Sequence, residues 1–174
     1  MDILTSRKDF LKKGLLFSAG ISLVPNLVFS QNEETAPPID PKIVNEFVKI
    51  AHSGSELDKI KEMVKEYPLL LNASWDWGGG DFETALGAAG HMGLKETAHF
   101  LISLGARADI FVLTMLGKTE VVKALLKAYP SLLNSIGPHG FTLLHHAEKG
   151  GKDAEKLLKH IQKLGLTEAF IKLK

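Results

Sequence analysis

The octapeptide Lys65-Glu66-Tyr67-Pro68-Leu69-Leu70-Leu71-Asn72 returns further along the chain as Lys127-Ala128-Tyr129-Pro130-Ser131-Leu132-Leu133-Asn134. A chain that reuses a motif of this length builds one structural unit more than once, so the repeat is read before any catalytic motif. Around these copies, a glycine and an acidic residue open each amphipathic run: Gly54 with Glu56, Gly93 with Glu96, Gly117 with Glu120, and Gly151 with Asp153. An acid in the first turn suits a helix N-terminus, where unpaired N–H groups and the dipole favour negative charge. Behind the openings, apolar residues stand at helical spacing: Leu57, Ile60 and Val64; Ala98, Leu101 and Ile102; Val121, Val122, Leu125 and Leu126; Ala154, Leu157, Leu158 and Ile161. Each run predicts one outer helix with one buried face. A single such helix cannot shelter its stripe, but a stack of pairs can if its ends are polar outside. The lysine-rich tail from Lys152 to Lys174 would form that cap.

Two further stretches carry a family resemblance. Thr84-Ala85-Leu86-Gly87-Ala88-Ala89, continuing to Gly93 and Gly105-Ala106, resembles an ankyrin repeat in residues and spacing. Gly140-Phe141-Thr142-Leu143-Leu144-His145-His146-Ala147 is similar to the same signature. The resemblance covers about residues 42–174, divided into units at 42–73, 82–107, 108–136 and 138–174. It implies an all-α, ankyrin-type solenoid of about four helix-pair repeats with short hairpin or loop fingers at one edge. It also implies that His145 is the signature histidine holding its turn by a local hydrogen bond, and that Gly87 stands in place of that histidine in the second unit. Ala88 and Ala89 would let neighbouring helices approach closely.

The repeat is irregular. Its opening glycines are spaced 39, 24 and 34 residues apart, against a family period of about 33. The surplus falls in Ser74-Trp75-Asp76-Trp77-Gly78-Gly79-Gly80-Asp81-Phe82, and the deficit between Gly105 and Phe111. One finger is therefore enlarged and the next is missing. The enlarged one holds both tryptophans of the chain and three consecutive glycines, which permit backbone conformations closed to other residues. Two roles are open to Trp75 and Trp77: covering core left bare by the missing finger, or forming an anchor for a partner, since tryptophan is enriched at binding hot spots.

Residues 1–30 read as an address. Ser6-Arg7-Lys8-Asp9-Phe10-Leu11-Lys12 looks like a twin-arginine motif in which Lys8 replaces the second arginine, and it precedes an uncharged apolar stretch from Gly14 to Val24. That stretch is shorter than the roughly 20 residues a membrane-spanning helix needs. The expectation is export to the periplasm with cleavage after Ser30, leaving no membrane span, followed by a proline-containing linker at 31–41. The leader takes four basic residues against two acidic ones, so the rest of the chain is close to neutral and offers no field for a nucleic acid backbone. Cysteine is absent, which excludes disulfides, thiolate metal sites and cysteine nucleophiles.

Enzyme chemistry finds no positive argument in the sequence. There is no HExxH pattern, no phosphate-binding loop and no nucleophile elbow. Adjacent His145 and His146 would point about 100° apart on a helix and cannot readily share an ion. The seven histidines are read as turn donors or surface residues, and neither a metal nor a cofactor is expected. The expected function is a monomeric, non-catalytic module that binds a protein partner with the concave face and the enlarged finger, using Trp75, Asp76, Trp77, Asp81, His91, Met92, Met115 and His146. The alternative is a small metal-dependent or hydrolytic enzyme built on the acidic glycine loop and His91 or His139.

Overall fold

A computed structural model describes residues 37–173. The leader expected at 1–30 lies outside the described residues, as do residues 31–36 of the expected linker. Pro41, placed in the linker by the sequence, is instead the first residue of helix α1 (Pro41–Ser53), where proline's fixed φ and missing N–H cost nothing. The helices α2 (Leu57–Glu66), α3 (Ala85–Met92), α4 (Lys95–Ser103), α5 (Ile110–Met115), α6 (Thr119–Ala128), α7 (Leu143–Lys149) and α8 (Glu155–Lys163) follow. Strands β1 (Ser74–Asp76) and β2 (Phe82–Thr84) lie between α2 and α3.

The repeated octapeptide folds the same way twice. Each copy ends its helix at a tyrosine, Tyr67 or Tyr129, kept out of the helical region by the proline that follows, and then makes one short 3₁₀ turn, Pro68–Asn72 or Pro130–Asn134. The odd-numbered helices α1, α3, α5 and α7 share a different device. Each has an N-cap side chain that accepts a backbone N–H: Asp40 from Lys42, Thr84 from Gly87, Asp109 from Val112, and Thr142 from Leu144.

These four capped helices pack in succession, α1 against α3, α3 against α5 and α5 against α7, while α2, α4, α6 and α8 flank them. Helix α3 sits deepest, with every residue from Ala85 to His91 buried. Its small side chains set the spacing: a Cβ added at Gly90 would stand 3.0 Å from Val112 Cγ2 of α5. Two apolar clusters result, one running from Phe47 to Leu116 and one from Val122 to Leu166.

The all-α solenoid expected from the sequence does not hold. The enlarged finger is a two-stranded antiparallel sheet, with Ser74 opposite Thr84, Trp75 opposite Glu83 and Asp76 opposite Phe82. Isolated bridges join Ile136 to Thr142 and Phe141 to Phe170. The fold is therefore mostly helical with a small β component. The physical reason lies in the finger itself: Gly78, Gly79 and Gly80 all take positive φ, and the Asp76 carboxylate accepts the N–H groups of Gly78 and Gly80, closing a turn tight enough for the flanking residues to pair. The connection from α4 to α5 is short. Residues 106–109 are irregular, and the Arg107 N–H donates to Asn72 Oδ1 at 2.9 Å, which ties the short connection to the preceding turn.

Candidate metal centre

The hairpin, two helix ends and one turn bring four donors together. His52 and His91 lie in the last turns of α1 and α3, each two residues before a glycine in left-handed conformation, Gly54 or Gly93. The same local arrangement on two packed helices sets their rings edge to face, with centroids 4.9 Å apart. Glu83 is the inward residue of β2, 1% exposed. His139 comes from the turn Pro138–Gly140. One ligating atom from each of these residues lies within 4.8 Å of the other three.

Glu83 is the hub. The His52 imidazole lies 2.7 Å from its Oε2, the Trp77 indole N–H donates to the same oxygen at 2.9 Å, and His139 Nε2 stands 3.3 Å from it. Burial on its own would raise the pKa of Glu83, but the hydrogen bond from His52 and the close positive charge of His91 and His52 outweigh it and hold the carboxyl at about 2. The second oxygen is left over. Glu83 Oε1 and His91 Nδ1 are 2.8 Å apart, yet out of line for a hydrogen bond, and neither has another partner. Two buried polar atoms facing each other without a bond call for a further partner, such as an ion.

His139 has the support that a metal-binding histidine normally has. Its Nδ1 is 2.8 Å from Asp81 Oδ2, and its backbone N–H donates to Asp81 Oδ1 at 2.8 Å. A carboxylate on one ring nitrogen fixes the ring and directs the other nitrogen inward. Three imidazoles and a carboxylate form a nitrogen and oxygen donor set that suits zinc and neighbouring divalent ions, which bind such groups at about 2.0–2.2 Å. Donors around a tetrahedral ion at that range lie roughly 3.3 Å from one another, so the observed cluster needs little rearrangement to close on one.

The residues singled out from sequence separate into groups. Trp77, Asp81 and His91 belong to the centre, although His91 is buried and presents nothing to a partner. Trp75 and Trp77 are half-buried against the first apolar cluster. Asp76 closes the glycine turn. Met115 and His146 are fully buried, which removes them from any partner-facing surface, because the inner faces of α5 and α7 are turned into the core. Met92 is exposed. His145, expected to bond within its own turn, instead meets the His91 carbonyl at 2.9 Å and stacks on Phe141, bracing the end of α3. Sequence reasoning missed His52, and it weighed Glu83 only beside Asp76 and Asp81 as an acid of the glycine loop, not as a partner of histidines. The signal for His52 was present as His52-Ser53-Gly54 matched by His91-Met92-Gly93. No family model matches the chain, and no curated protein matches it.

Proposed function

We propose that this protein is a non-catalytic metal-binding module that holds one divalent transition ion of the zinc class through His52, Glu83, His91 and His139. The observation that carries this reading is the convergence of four donors around a buried, mutually unbonded carboxylate oxygen and imidazole nitrogen. Four protein donors fill a tetrahedral shell, which is the arrangement of holding sites, whereas catalytic zinc keeps a position for water or substrate. A groove beside the hairpin supports the same choice. It measures about 500 Å³ and is lined by residues that include Asp81, Phe82, Phe111, Ile136 and Leu173, but none of the four donors lines it.

The test is zinc titration of the full chain, with the retained metal measured after buffer exchange. About one ion per chain is expected, with binding lost in Glu83→Gln and in His91→Ala while both variants stay folded by circular dichroism. Wild-type protein that retains no zinc, copper, nickel or cobalt would reduce the cluster to a hydrogen-bond network around Glu83.

Partner binding, the function expected from sequence, is the second reading. It is favoured by the groove, where Phe82, Ile136 and Leu173 are exposed beside one another. A partner that engages it should bind Phe82→Ser at least tenfold more weakly, and equal binding would reject the groove. Export to the periplasm belongs to the same proposal. No helix among the described residues is long and apolar enough to cross a membrane.

A further inference from the structure

The four donors do not belong to one packing unit. His52, Glu83 and His91 stand on α1, β2 and α3, whose apolar neighbours, such as Phe47, Val48 and Leu86, lie in the first cluster. His139 stands on the turn that leads into Leu143 and Leu144, which lie in the second. We propose that an ion at this centre acts as a clasp that ties turn 137–141 to the hairpin and α3, with the Asp81–His139 pair as its lock. The inference rests on the metal-binding reading above.

His139 is held in an unusual backbone state. Its φ is 59°, and it is the one non-glycine residue at positive φ among the described residues. Such a conformation persists when its surroundings over-determine it, and it marks sites where geometry serves a purpose. Here Asp81 grips both the backbone N–H and the ring. From behind, the C-terminal segment closes on the turn: the Ile171 N–H donates to the Gly140 carbonyl at 2.8 Å, and the Thr142 N–H to the Ala169 carbonyl at 3.1 Å. The turn is thus pinned on its far side and presents Nε2 to the centre.

Among the described residues, the side-chain hydrogen bonds from this turn to the hairpin all go to Asp81 and Glu83. The link to Glu83 is the weakest of that carboxylate's contacts, at 3.3 Å against 2.7 Å for His52 and 2.9 Å for Trp77. Coordination at about 2 Å replaces that long contact with a short bond. The consequence reaches the groove, since Gly78–Phe82 form one of its sides and Ile136–Pro138 another. Closing the clasp fixes the separation of those sides.

The experiment is hydrogen exchange by mass spectrometry on the full chain, with zinc or with a chelator, and bound zinc measured on the same samples. Zinc should slow exchange across residues 137–142 at least tenfold. Asp81→Asn should weaken zinc binding 10- to 100-fold, the usual effect of losing an outer-shell carboxylate, and should lose most of the slowing at matched occupancy. His139→Gly, which relaxes the backbone and so is not expected to unfold the chain, should lose the slowing entirely. Bound zinc with unchanged exchange at 137–142 overturns the clasp and leaves metal binding standing. Undiminished slowing in both variants overturns the lock, and absence of bound zinc overturns clasp and metal binding together.

Discussion

A carboxylate with 1% exposure survives at Glu83 because three imidazoles and an indole surround it. Trp77 serves this residue as well as the core, so the tryptophans are expected to pack. Trp75→Ala with Trp77→Ala should cost roughly 2–4 kcal/mol in urea unfolding. Trp77→Phe, which keeps most of the packing and loses the donor, should cost about 1 kcal/mol. A double variant as stable as wild type would reassign both rings to an external partner. His146 offers a separate test through pH. Its ring is 1% exposed, and burial lowers its pKa to about 4 despite the bond between Nδ1 and the Thr142 carbonyl. The unfolded chain therefore binds a proton between about pH 6.5 and 4 that the folded chain refuses, and stability falls as pH falls through that window. The difference in unfolding free energy between wild type and His146→Gln should change by about 2 kcal/mol from pH 7 to pH 5, with wild type losing more. A pH-independent difference would show that His146 takes up its proton as readily in the fold as in the unfolded chain.

At the scale of elements, the capped helices carry the order of the structure, and the caps differ in what else they hold. Thr84 Oγ1 accepts only the Gly87 N–H, at 3.0 Å, so Thr84→Ala should cost about 1 kcal/mol. Thr142 Oγ1 accepts from Leu144 and also donates to the Glu168 carbonyl at 2.6 Å, tying α7 to the C-terminal segment behind His139. Thr142→Ala should cost more, about 2 kcal/mol. Thermal melts of the two variants, measured side by side, check the ranking. Equal losses would mean that the C-terminal segment adds nothing to the turn. The hairpin is the element that sequence periodicity leaves open, as hairpin or loop. Its strands are three residues each, too short for alternation to register, and its pairing follows from the three glycines and Asp76.

For the whole molecule, a ligand that binds the folded chain and not the unfolded one stabilises it by mass action. Zinc at about 100 times its dissociation constant is worth about 2.7 kcal/mol, which for a domain of this size is a rise on the order of 8 °C in melting temperature. Differential scanning fluorimetry with and without chelator reads it directly, and the rise should vanish in Glu83→Gln. An ion-independent melt would leave the stability of the fold to its two apolar clusters alone.

The sequence by itself determined the local pieces: the twice-used octapeptide and its two matching turns, the helices opened by glycine and acid, and the glycine-rich insertion between α2 and α3. These depend on interactions within a few residues, where propensity, capping and proline sterics act. It also marked Trp77, Asp81, His91 and His139 as chemically interesting, through loop composition and as candidates for an alternative chemistry. Only the tertiary structure decided that the enlarged finger is a β-hairpin, that Met115 and His146 face inward, and that His52 and Glu83 join His91 and His139. Beyond the matched His52-Ser53-Gly54 and His91-Met92-Gly93, a donor set drawn from α1, β2, α3 and a later turn leaves no ligand spacing along the chain. Its members meet only because α1 packs on α3 and the hairpin folds across both, and that proximity is a property of packing.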